Sequence, residues 1–173
     1  MKSLNSIIIL LFFILVIVPG CKSEDSGTNP TVPTTKTLRL THWGVDWSEG
    51  VVGEANNVVD PEKNDGETII WCPLGSGGGG WGTGIWFRAR SEKIMRLGPG
   101  DLSAITSIDT TRWATDVCST PLRAGDIWAT KALDGYIIFK VTEVATDSAS
   151  IANGSDDWPA KVEYKYSTTT TFN

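Results

Sequence analysis

Metal ligands and reactive groups are scarce in this chain. Its 173 residues include one histidine, two methionines and three cysteines. That excludes a multi-histidine metal centre and leaves His42 as the one side chain able to serve a catalytic triad as base. No serine sits in a nucleophile motif. Carboxylate pairs of the glycosidase kind are defined in space and not by spacing. The acids Asp46, Glu49, Asp126, Asp156 and Asp157 carry no mark of such a pairing. The expectation is a non-catalytic protein with no resident metal or cofactor.

Basic charge is short as well. Lys2 is the only charged residue among the first 21. The remainder keeps 14 of the 15 basic residues against 20 acidic ones, so its net charge moves from −5 to −6. Nucleic acid and anionic headgroups need a basic patch to displace their counterions, and neither is expected as a partner. Amphipathic periodicity of ordinary helix length is missing too, which removes folds built on helices.

What the chain does have is β-type patterning, clearest in residues 125–144, GDIWATKALDGYIIFKVTEV. Asp134-Gly135 reads as a two-residue turn between segments rich in β-branched and aromatic residues, the signature of a hairpin. Closing it between Leu133 and Tyr136 sets Ala132 opposite Ile137, Thr130 opposite Phe139 and Trp128 opposite Val141. Those six residues share one face, with Lys131 and Lys140 on the other. An apolar hairpin face needs a second layer, so a β-sheet core is expected around this pair.

The N-terminus reads as an export segment. Lys2 precedes an unbroken apolar run of twelve residues, 7–18. That is too short for a helix across a ~30 Å hydrocarbon core, which takes about 20 residues, and it fits a signal peptide over residues 1–20. Val18-Pro19-Gly20-Cys21 follows directly and resembles the bacterial lipoprotein processing box, although Pro19 departs from the usual small or hydroxyl residue. The resemblance implies lipidation of Cys21 and an address in the cell envelope, on a membrane facing periplasm or cell surface. Several acyl chains on one cysteine exceed the two-signal threshold for stable anchoring. Residues 21–37 hold two prolines and little apolar bulk, as expected of a flexible tether between the anchor and a domain over residues 38–173.

Two further cysteines, Cys72 and Cys118, remain. In an oxidising compartment their default is one disulfide, with two free buried thiols as the alternative. Closing a loop of about 46 residues would contribute at most ~4 kcal/mol by chain entropy.

Other strand signals are shorter. LRLTHWGVDW (residues 38–47) alternates but shifts phase, which implies a bulge near His42 or a strand covered on both sides. DPEKNDGE (60–67) has the look of a calcium loop, but Asp65 stands where that motif needs glycine, so a turn at Asn64-Asp65-Gly66 is the better reading. The Gly-rich stretch 75–84 lacks the Lys-Ser/Thr and the following helix of a phosphate loop. It leads into IWFRAR, a strand with Ile85, Phe87 and Ala89 on one side and Trp86, Arg88 and Arg90 on the other. Leu102, Ile105 and Ile108 recur every third residue, so Asp101 caps a short helical or 3₁₀ turn. Val162, Tyr164 and Tyr166 mark a last strand, followed by a tail, STTTTFN, expected to fray. About eight short strands imply an all-β fold, a single antiparallel sandwich or partly closed barrel.

Eight tryptophans are many for this length. Core packing explains several. Trp81, Trp86 and Trp47, with Arg88 beside them, are the candidates for a ligand platform, saccharides being the leading class. The alternative is a structural or accessory envelope protein that works through protein contacts alone. The hairpin, with VDWSEG upstream, IWF in the middle and VEYKY near the end, resembles the HmuY-like surface lipoproteins. That resemblance implies an all-β surface protein that captures haem, for which His42 or Met95 would have to supply axial ligands.

Overall fold

The computed structural model describes residues 33–70, 84–114, 120–145 and 159–172. Cys21, Cys72, Trp81, Cys118, Asp156 and Asp157 lie outside the described residues, and so does all of the Gly-rich stretch except Gly84. The described part is all-β: two antiparallel sheets and two single 3₁₀ turns. The nine strands are β1 (Lys36–Leu40), β2 (Val45–Asp46), β3 (Val51–Val52), β4 (Gly66–Ile69), β5 (Trp86–Ala89), β6 (Ile94–Pro99), β7 (Asp126–Lys131), β8 (Tyr136–Val144) and β9 (Ala160–Ser167). One sheet has the order β1-β9-β8-β7-β6 and the other β3-β2-β4-β5. They form a sandwich rather than a closed barrel. Its filling draws on both sheets: Trp128, Ile137, Phe139, Val162 and Tyr164 from the first, Val45, Phe87 and Ala89 from the second.

The β7–β8 hairpin forms with the faces expected and a different register. Trp128 pairs with Phe139 and Thr130 with Ile137, two residues from the pairing that an Asp134-Gly135 turn would impose. A slip of two preserves every inward side chain, because the side-chain period of a strand is two. The turn is centred on Leu133 and Asp134 instead, with the Ala132 N–H bonded to the Gly135 carbonyl at 3.0 Å. Tertiary partners select it. Asp65 takes the Leu133 N–H at 2.7 Å and the Tyr166 hydroxyl donates to the Asp134 carbonyl at 3.2 Å. Gly135 is required by proximity and not by a left-handed backbone: a Cβ there would sit 2.6 Å from the Ser167 carbonyl oxygen.

The phase shift in residues 38–47 is a change of sheet. β1 ends at Leu40, the chain turns at His42 and Trp43, and β2 enters the opposite layer. Leu40, Val45 and Trp47 thereby reach one core from two sides. The turn expected at Asn64-Asp65-Gly66 lies earlier, over 60–64, closed by the Lys63 and Asn64 N–H groups on the Asp60 carbonyl, both at 2.9 Å, while Asp65 already bonds to Val45 and Gly66 opens β4.

The larger sheet is covered on its outer face as well. Met95, Ile127, Ala129 and Ile138 point there and are roofed by Leu102, Ile108 and Phe172. Asp101 caps the 3₁₀ turn Leu102–Ala104 by accepting from the Ser103 N–H, as its position implied. The tail corrects the sequence reading, because it does not fray. Phe172 is 1% exposed, its N–H bonds to the Thr106 carbonyl at 2.8 Å, and Ser107 bridges Thr171. A run of threonines gives little apolar signal, so the sequence does not announce the single buried ring at its end.

One residue holds a costly backbone. Glu92, in the tight turn from β5 to β6, has φ +57° with its N–H on the Ala89 carbonyl at 3.0 Å. A left-handed conformation costs a side-chain-bearing residue about 1–2 kcal/mol. Glu92→Gly is therefore expected to stabilise the fold by about 0.5–1 kcal/mol, since glycine's greater freedom in the unfolded chain offsets part of the relief. Urea denaturation reads this as a higher midpoint at unchanged slope, and a lower midpoint would refute it.

Candidate functional site

Two of the tryptophans proposed for a ligand platform lie in the core. Trp47 is 0% exposed; it stacks on Phe139 at 5.5 Å between centroids and meets Phe87 and Tyr164 edge-on or tilted. Its carbonyl accepts from the Tyr164 hydroxyl at 3.2 Å. Trp86 is 7% exposed and belongs to the same cluster. Alternation placed Trp86 on the outer side of β5. It did not anticipate residues 121–122, where the Leu122 N–H bonds to the Ile85 carbonyl at 2.8 Å and a second segment lies over that end of the strand. The indole N–H groups of Trp47 and Trp86 are buried without a partner, so neither offers a donor to solvent. The platform reading is corrected for both, and Trp81 lies outside the described residues.

Arg88 is placed as expected. It stands exposed on the outer face of β4–β5, opposite Glu67 in the ladder, and the two side chains form an ion pair. Arg90, two residues on, projects from the same face and has no ion-pair partner among the described residues. With Asn64 and Glu92 these groups line a groove of about 560 Å³. Two close contacts build it. Gly66 lets the strands approach, because a Cβ there would fall 2.5 Å from the Arg88 carbonyl oxygen. The Arg90 N–H, bonded to the Asp65 carbonyl at 2.8 Å, fixes where its side chain departs. The pairing of both arginines on one face was legible from alternation. Asn64 and Glu67 were not, because only the β4–β5 register brings them alongside.

A smaller cleft of about 160 Å³ gathers Asp46, Glu49, Glu62, Asp65 and Asp134 with Lys63. These acids are largely committed. Asp46 accepts from the Ser48 hydroxyl at 2.8 Å and from the Glu49 N–H at 3.0 Å, and Glu49 pairs with Lys63 at 2.5 Å. That pairing raises the Lys63 pKa, first through the hydrogen bond and then through the charge. Asp65, 3% exposed, accepts the Trp47 N–H at 3.0 Å and the Leu133 N–H at 2.7 Å. Burial still pushes its carboxyl above the ordinary range. Tyr166, half-buried above Asp134, is pushed up to about 12, by burial first and that carboxylate next. Asp126 is held by Arg96 through two bonds of 2.7 Å.

No cofactor site is assembled from the residues named for one. The His42 ring Nδ1 lies 3.2 Å from the Thr68 carbonyl, on the side of the smaller sheet, while Met95 is 4% exposed in the cluster on the far face of the larger one. They do not converge, so the described residues do not fit a haem held by this pair. Among the described residues no three histidine, cysteine or acidic side chains are grouped to hold a metal. No family model, curated protein or solved structure matches the chain.

Proposed function

We propose that this chain is an exported envelope lipoprotein, anchored through Cys21, whose β-sandwich binds a polar ligand of the saccharide class without catalysis. The address rests on the apolar run 7–18, the Val18-Pro19-Gly20-Cys21 sequence and the proline-containing tether after it. The observation that carries the binding reading is the groove on the outer face of β4–β5. It sets two planar guanidinium groups, Arg88 and Arg90, beside the amide of Asn64 and the carboxylates of Glu67 and Glu92. Planar forks of donors and acceptors match pairs of adjacent hydroxyls, and a guanidinium presents five donors in fixed geometry. Arg88 is oriented by Glu67, which leaves Arg90 as the guanidinium with no ion-pair partner among the described residues.

Calorimetric titration of the purified protein against a glycan panel tests this. Hydrogen bonds from a charged donor contribute about 1.5–3 kcal/mol, so Arg90→Ala is expected to weaken a bound glycan at least tenfold, roughly. The urea midpoint should stay within about 0.5 kcal/mol of wild type, as for an ordinary surface substitution. Binding of no glycan, or binding indifferent to Arg90→Ala, would refute the assignment of this groove.

A further inference from the structure

The larger sheet is uneven at one end. β8 has nine residues against six in β7, and the last ladder pair between them is Ile127 with Lys140. The Gly125 N–H adds one bond to the Val141 carbonyl at 2.8 Å. The Asp126 N–H then bonds back to the Arg123 carbonyl at 3.1 Å, and the chain preceding β7 bends away. Residues 142–144 of β8 thus project beyond β7, while β9 pairs with Glu143 and Val144 on the other side. Among the described residues nothing continues the ladder on the β7 side of this overhang. Between the overhang and the diverging segment 121–124 lies a groove of about 490 Å³. Its floor is apolar: Ile85 and Leu122 belong to the core, and Val144 and Ala145 pack against it. At the rim Glu143 is neutralised by Lys161 at 2.6 Å, and Arg123 is exposed with no ion-pair partner among the described residues.

We propose that this groove docks an extended polypeptide segment of a partner protein, which adds a short strand to the open edge of β8. The occupant follows from the chemistry of the wall. An unpaired strand edge repeats its donors and acceptors at backbone spacing, which another extended backbone matches and a compact sugar does not. The apolar floor takes alternate side chains of such a strand. The guanidinium of Arg123, which has no ion-pair partner among the described residues, selects an acidic residue in it. The sheet's terminal strand β6 is a poorer template, since it ends in Pro99, which has no N–H to offer. This site is separate from the β4–β5 groove, and each assignment can fail alone.

The test pans a phage-displayed random heptapeptide library on the full-length protein and maps the enriched peptides by backbone amide exchange. Enriched sequences are expected to alternate apolar with polar residues and to contain Asp or Glu. At a tenfold excess over Kd they slow exchange of the Val144 amide about tenfold, as one-site linkage requires, whereas the Ala145 N–H is already bonded to the Pro159 carbonyl at 3.3 Å and serves as the reference. Arg123→Glu, an exposed position, is expected to exchange the acidic preference for a basic one. Failure to enrich any peptide, protection confined to other residues, or an acidic preference unchanged in Arg123→Glu would each overturn the proposal. So would a Val144 amide that is already as protected in the free protein as those of Ile138 and Phe139, because the edge would then be covered by the chain itself.

Discussion

Asp65→Ala is expected to lower the stability of the domain by about 3 kcal/mol or more, a fall in midpoint of roughly 10 °C. Asp65 uses all four of its polar positions. Its N–H bonds to the Val45 carbonyl and its carbonyl accepts from Arg90, both at 2.8 Å. Its carboxylate takes the N–H of Trp47, at the end of β2, and the N–H of Leu133, in the β7–β8 turn. One side chain therefore ties the two layers together at backbone level. Alanine keeps the first two bonds and orphans both N–H groups, at about 1–3 kcal/mol each. Asp65→Asn is expected to fall between alanine and wild type, because one amide oxygen replaces two carboxylate oxygens.

The pH dependence discriminates further. Burial, the largest influence, raises the folded pKa of Asp65 above its ordinary 3.8, and nearby Asp134 and Asp46 add to it against the two N–H bonds. A carboxyl with a raised folded pKa binds its proton more tightly in the native state than in the unfolded one. Its contribution is complete below the unfolded value and is lost as the pH rises through the folded one. The stability gap between wild type and Asp65→Ala is thus expected to widen as the pH falls from 7 towards 4. Urea titrations across that range measure it. A gap that narrows instead would mean that the two N–H bonds outweigh burial.

Much of the fold was legible because strand period is local. The inward faces of β7, β8 and β9, the strand at residues 86–89 and the Asp101 cap all follow from neighbours within a few residues. What was not legible depends on partners far along the chain. The hairpin turn shifted by one residue because Asp65 holds the Leu133 N–H from 68 positions away. The broken phase at 38–47 could not announce a change of sheet, since a bulge produces the same pattern. Trp86 was assigned correctly to a face and wrongly to solvent, because alternation names a side of a strand and says nothing of what covers it. Of the platform residues that the structure describes, only Arg88 kept its exposure; its neighbours in the groove are set by the β4–β5 register.

Phe172→Ala is expected to cost about 3–5 kcal/mol, the range for truncating a fully buried aromatic ring. The ring roofs Met95, Ile127, Ala129 and Ile138 from outside the sandwich, together with Leu102 and Ile108. The backbone around it is pinned at both ends, by the Phe172 N–H on Thr106 and by the Ile108 N–H on the Thr170 carbonyl at 3.0 Å. Losing the ring leaves a cavity against β7 and β8, the strands that also face the inner core, so the effect reaches the whole sandwich. Global denaturation should register it as a lower midpoint, and amide exchange should show Ile108 and residue 172 losing protection ahead of Ile137 and Phe139. Thr168→Ala, exposed on the same tail, should stay within about 0.5 kcal/mol of wild type. If Phe172→Ala were equally silent, the outer cluster would add nothing to the fold, and the larger sheet would stand on its inner face alone.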